Sequence, residues 1–124
     1  MEFHLVLISE IKTSFMVVYN VTVKLNLEIH EEWLKWMRAH HIPRVLSTGI
    51  FNKCRLSKLE TEEIDGVTYV IQYDTPSMEA MNKYMAQYAP ALQKEHIDKY
   101  ANRFIAFRTY LHVIEEIFPI ERQS

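Results

Sequence analysis

Val17-Val-Tyr-Asn-Val-Thr-Val-Lys-Leu25 carries an apolar side chain at every second position: Val17, Tyr19, Val21, Val23 and Leu25. Val18, Asn20, Thr22 and Lys24 fall between them. Neighbouring side chains of an extended chain point to opposite faces, so this period of two predicts a strand with one apolar face. A second alternating segment lies within Ser47–Glu60, where Ile50, Cys54 and Leu56 share one parity and Phe51, Lys53, Arg55 and Ser57 the other. Its charges suit a sheet edge. Asp65-Gly66 is a turn signal, and Val67, Tyr69, Ile71 and Tyr73 alternate after it. A last strand is predicted from Phe104 to about Ile117.

Between the strands the period changes. Ile29, Trp33, Trp36, Met37 and His40 recur at helical spacing, with Asn26 as the expected N-cap. This helix is expected to stop near His41, because Ile42 precedes Pro43 and a pre-proline residue avoids the α region. Thr75-Pro76 reads as the start of a second helix, along which Met78, Met81, Met85, Tyr88, Leu92 and His96 form one seam. Pro90 lies inside it and should kink or split it.

The order β-α-β-β-α-β is the ferredoxin-like plan, an α+β fold. It predicts a four-stranded antiparallel sheet of order 4-1-3-2 with two helices on one face. The almost wholly apolar parity, which in the last strand is Ile105, Phe107, Thr109, Leu111 and Val113, is expected to meet the helices. The other, which also carries Asn20, Thr22, Lys24 and Arg108, holds Val18, Phe51, Val70, Phe104, Ala106 and Tyr110. That is too apolar to stay wet, which predicts a homodimer built on this face.

The 124 residues suit one domain, and 48% of them are apolar, enough for a core. A formal charge of −2 without a basic stripe argues against nucleic-acid binding. Cys54 stands alone, which forbids a disulfide framework or a thiolate metal site and suits a reducing, cytoplasmic setting. No apolar run reaches the ~20 residues that span a bilayer. Leu5-Val6-Leu7-Ile8 follows Glu2 rather than a basic segment, unlike a signal peptide.

Met16-Val-Val-Tyr-Asn-Val-Thr-Val, Trp33-Leu-Lys-Trp-Met, His41-Ile-Pro, Thr48-Gly49, Gln72-Tyr73, Ala89-Pro90-Ala91-Leu92, His96 and Phe104-Ile-Ala-Phe-Arg-Thr together resemble a bacterial family known as domain of unknown function 4286. The resemblance covers about Met16 to Ile114 and implies membership of the dimeric α/β-barrel superfamily, in which two ferredoxin-like sheets pack face to face. Relatives there include small monooxygenases, isomerases and haem-handling enzymes. The resemblance implies a fold and a dimer, but no activity, because function lives in sites. It places the domain at 16–118, with 1–15 as an irregular extension and 119–124 as a tail.

His41 and His96 are the candidate proton carriers; against that stands a structural role for each, as a helix-end cap or a satisfied core residue. Tyr19, Tyr69 and Tyr73 share the helix-facing parity, and Tyr84 and Tyr88 lie on the second helix. With Tyr73 closing the third strand, they could line a pocket for a small aromatic or apolar ligand, or simply fill the core. Arg108 is unusual in an apolar strand; it could clamp an anion bidentately or organise a dimer interface. No metal-ligand spacing, phosphate loop or cofactor motif is present. Two readings follow: a dimeric small-molecule-binding or regulatory module, or a cofactor-independent monooxygenase or isomerase using a pocket histidine. Whether the chain is an enzyme stays open at this point.

Overall fold

The computed structural model describes residues 16–120. The expected extension 1–15 and residues 121–124 of the expected tail lie outside the described residues. Strand β1 is Val17–Asn26, β2 Lys53–Lys58, β3 Gly66–Thr75 and β4 Phe104–His112. The first helical region is α1, His30–Trp36, then a π-turn, Met37–His41, then α2, Ile42–Leu46. The second is α3, Met78–Gln87, and α4, Ala89–Tyr100. The strands run β2-β3-β1-β4 across one antiparallel sheet, the predicted order read from the other edge.

Several boundaries differ from the sequence reading, each for a local reason. Helicity does not stop at His41. The Ile42 amide donates to the Met37 carbonyl, five residues back, so the widened turn carries the chain past Pro43. Proline then sits in the first turn of α2, where it needs no amide hydrogen. Asn26 is the last residue of β1 rather than a helix cap; its amide binds the Arg103 carbonyl. Ser77, not Thr75, caps α3, its hydroxyl accepting from the Ala80 amide at 3.0 Å. Thr75 instead donates its hydroxyl to the Ile50 carbonyl at 2.9 Å. The second strand is shorter than Ser47–Glu60, and β4 ends at His112 rather than near Ile117. Pro90 splits the second helix, with Tyr88 at the break. Gly66 is required where it stands, since a Cβ there would meet the Leu25 carbonyl oxygen at 2.6 Å.

The largest correction concerns β4. Tyr19 pairs with Tyr110, Val21 with Arg108, Val23 with Ala106 and Leu25 with Phe104. Since Tyr19, Val23 and Leu25 are buried beneath the helices, Phe104, Ala106, Arg108 and Tyr110 face the helices too. The chain enters β4 through Asn102, at φ 65°, a left-handed conformation that asparagine tolerates. Phe104 then lands edge-on against His96, with ring centroids 4.3 Å apart. Ile105, Phe107 and Leu111 are left on the outer face, 60%, 67% and 44% exposed. A polar row crosses that face at one register: Arg55 to Gln72, Gln72 to Asn20, and Asn20 to Thr109, each joined by a side-chain hydrogen bond.

The core lies between the sheet and the helices. Trp33 and Met37, Val45, Met81 and Tyr84, and Leu92 and Tyr100 descend on Val17, Tyr19, Val23, Leu25, Tyr69, Ile71 and Tyr73. Among the described residues no helix is long and apolar enough to cross a membrane. Leu25 is 1% exposed, so Leu25→Ala should cost ~2–5 kcal/mol in urea denaturation. Leu27→Ala, at a residue half exposed, should change stability by less than ~0.5 kcal/mol.

Candidate functional site

The helices do not close on the sheet everywhere. A cavity of about 40 Å³ remains between them, lined by residues that include Tyr19, Tyr73, Tyr84, His41, His96 and Arg108. The π-turn delivers His41: His40 faces outward and bonds Glu95 at 2.8 Å, while His41 turns inward and stacks on Trp36 with ring centroids 5.0 Å apart. α4 delivers His96, which is 6% exposed. Its Nε2 accepts the indole N–H of Trp33 at 2.8 Å, and Trp36, Tyr100 and Phe104 surround the ring. The two imidazoles meet edge to face, centroids 5.8 Å apart. The Nδ1 atoms of both are buried and, among the described residues, without a hydrogen-bond partner.

Two of the expected tyrosines stand elsewhere. Tyr69 is on the helix-facing side of β3, but its hydroxyl bonds Nδ1 of His30 at 2.9 Å, its ring stacks on Trp33, and it does not line the cavity. Tyr88 sits at the break between α3 and α4 and lines a different groove, with Arg44, Ser47 and Thr48. Tyr84, on the second helix as expected, does line the cavity, three residues after the buried Met81 and thus on the same helix face. Gln93 also lines the cavity; beside the seam residue Leu92, it offered no signal of its own. Tyr19, Phe51, Tyr73 and Tyr84 form one aromatic cluster.

Arg108 reaches the cavity from β4, at its exposed rim. Among the described residues it forms no ion pair with a carboxylate. Its position opposite Val21 places it on the helix side, not with Asn20, Thr22 and Lys24 on the outer face. Burial pushes His41 down to about 3, with His96, His40, Arg44 and Arg108 adding repulsion. Burial, then Arg108, pushes His96 down to about 4. Both are therefore neutral at pH 7. Burial raises Tyr19, against the pull of Arg108, and raises Tyr73 and Tyr84 as well, so the phenols stay protonated. Cys54, half-buried on β2, is pushed up to about 11 by burial and Asp74, which leaves a thiol and not a nucleophilic thiolate.

A family model described as "Domain of unknown function (DUF4286)" matches residues 16–114. No curated protein matches the sequence significantly. Among solved structures, a dimeric ferredoxin-like protein from an uncultured marine organism is 17% identical with a TM-score of 0.60, over 83% of this chain and 99% of that one. A monooxygenase of Streptomyces coelicolor, solved in complex with Nanaomycin D, is 13% identical with a TM-score of 0.58, over 86% and 95%. The hydroxynitrile lyase of Passiflora edulis is 12% identical with a TM-score of 0.57, over 86% and 99%. At such identities the likeness shows the ferredoxin-like fold and nothing of the chemistry.

The buried histidines make stability depend on pH in a definite direction. In the unfolded chain each imidazole protonates near its ordinary 6.5, while in the fold it resists until about 3 or 4. The unfolded state thus binds more protons as pH falls, and stability is lost. Urea melts should show full stability above pH 6.5 and a decline below it, each imidazole contributing at most about 1.4 kcal/mol per pH unit. His96→Gln should flatten that acid limb.

Proposed function

We propose a role for this chain, which belongs to the DUF4286 family of domains of unknown function: a homodimeric module that binds a small organic anion between its helices and sheet. One observation carries the proposal. Two imidazoles whose buried Nδ1 atoms have no hydrogen-bond partner among the described residues line one cavity together with Arg108. Buried polar atoms without partners are rare in folded proteins, and each costs ~1–3 kcal/mol unless something satisfies it. A ligand carrying acceptors would satisfy them. Arg108 supplies the charge and the fork geometry for a carboxylate. The volume admits a ligand of few heavy atoms, because an engineered cavity of ~150 Å³ is what benzene needs.

Proton-transfer catalysis draws less support. A general base works best with a pKa near the working pH, and burial holds both imidazoles well below it. The basic nitrogen of His96 is already engaged by Trp33. A binding role uses the same groups without asking them to change charge.

The assembly rests on the outer face. Ile105, Phe107 and Leu111 are exposed there, and Ile114, Ile117 and Phe118 follow in the same condition. A patch of this kind is covered by a partner in most soluble proteins, and a second copy of the sheet covers it symmetrically.

Calorimetry tests the site. Formate should bind and its uncharged analogue formamide should not. Arg108→Gln should weaken formate at least ~10-fold, about 1.4 kcal/mol. No heat from formate, or equal binding by the variant, would sink the proposal. Light scattering tests the assembly: the wild type should be a dimer at micromolar concentration, burying more than ~1,000 Å², and Phe107→Asp a folded monomer. A wild-type monomer would refute it.

A further inference from the structure

We propose that the segment after β4, Val113–Ile120, is a clasp exchanged between two copies of the chain: it adds to the free edge of β2 in the second copy, with Glu115 and Glu116 against Lys53 and Arg55 of the partner subunit. The inference rests on the homodimer reading above and names the contact that fastens it.

The segment has the character of a contact surface. Ile114, Ile117, Phe118 and Ile120 are 90%, 82%, 76% and 94% exposed. Single exposed apolar side chains are ordinary, but a run this dense marks an interaction site. Residues 115–120 also lie beyond the stretch that the family model matches, so the fold alone does not call for them.

The chain's own sheet does not cover them. His112 pairs with Val17, Val17 with Thr75, and Lys53 with Asp74. The end of β4 and the start of β2 therefore share one end of the sheet. Three strand spacings separate them, about 14 Å, and crossing that distance takes about four extended residues. The fourth residue after His112 is Glu116, which borders one groove with Lys53 and Arg55. Among the described residues it forms an ion pair with neither. Residues 117–120 are then too few to run the length of β2, and they stay exposed.

A second copy supplies what is missing. β2 pairs with β3 on one side only, which leaves its other edge free to take an added strand. Lys53, Arg55 and Lys58 are exposed along it, and Glu115 and Glu116 carry the opposite charge. Val113 to Phe118 matches the six residues of β2 in length. Pro119 has no amide hydrogen to give a ladder and ends the run. Under two-fold symmetry each copy gives one segment and receives one.

Charge exchange separates a contact between copies from one within a copy. A full-length chain with Glu115→Lys and Glu116→Lys should dimerise at least ~10-fold more weakly in sedimentation equilibrium, and so should one with Lys53→Glu and Arg55→Glu. Mixed, the two should form a heterodimer of near wild-type affinity, seen by native mass spectrometry, because each segment then meets an edge of opposite charge. Should the edge variant fail to fold, Arg55→Glu alone, which disturbs only the 3.5 Å bond to Gln72, takes its place. Two weakened chains that do not combine put the contact within one copy and overturn the proposal. A dimer indifferent to the charge reversals gives the segment another occupant, the chain's own residues 1–15 among them, and overturns it equally while sparing the homodimer. A monomeric wild type sinks both.

Discussion

The bond from Trp33 to His96 ties the two helical regions together above the sheet. It joins α1 to α4 across 63 residues of chain, in a place closed to water. Both partners are neutral, so the link avoids the desolvation cost of a buried ion pair. Yet neither can be removed alone without leaving a buried polar atom. Trp36, Tyr100 and Phe104 pack around it, and Tyr69 stacks on the far side of the indole. The helices can sit no closer to the sheet than this aromatic stack allows.

Much of this was legible in the residues. Alternation located four strands because each has a half-buried face, and the Asp65-Gly66 turn and the Pro90 break follow from backbone chemistry that no neighbour can override. The faces of β4 were not legible. Ile105, Phe107 and Leu111 are greasier than Ala106, Arg108 and Tyr110, and hydropathy places the greasier set inside. In the fold the register with β1 and the left-handed Asn102 decide otherwise. Periodicity reports that a strand has two kinds of face; it does not say which one meets the helices when both are destined for burial.

The candidate site shows the same division. His41, His96, Tyr19 and Tyr73 could be gathered from parity and seam position. Arg108 stands out in an apolar strand, yet parity alone puts it on the wrong side, because its side follows from the register with β1. Tyr69 and Tyr88 lie on the expected elements and still miss the cavity, for reasons of a few ångströms that no spacing rule contains. The unpaired nitrogens, which give the site its meaning, exist only once every neighbour is in place.

The π-turn at Met37–His41 holds one residue more than an α-helix would need to connect the same ends. Deleting one residue there would let α1 run into α2 with ordinary pairing, and Trp33 and Val45 could keep their places on the sheet. The imidazole of residue 41 would be rotated off the cavity in the process. A single codon therefore separates two versions of this scaffold with nearly the same core, one furnished with the second histidine and one without. Lineages that lose the ligand could discard the site by a deletion that folding scarcely notices.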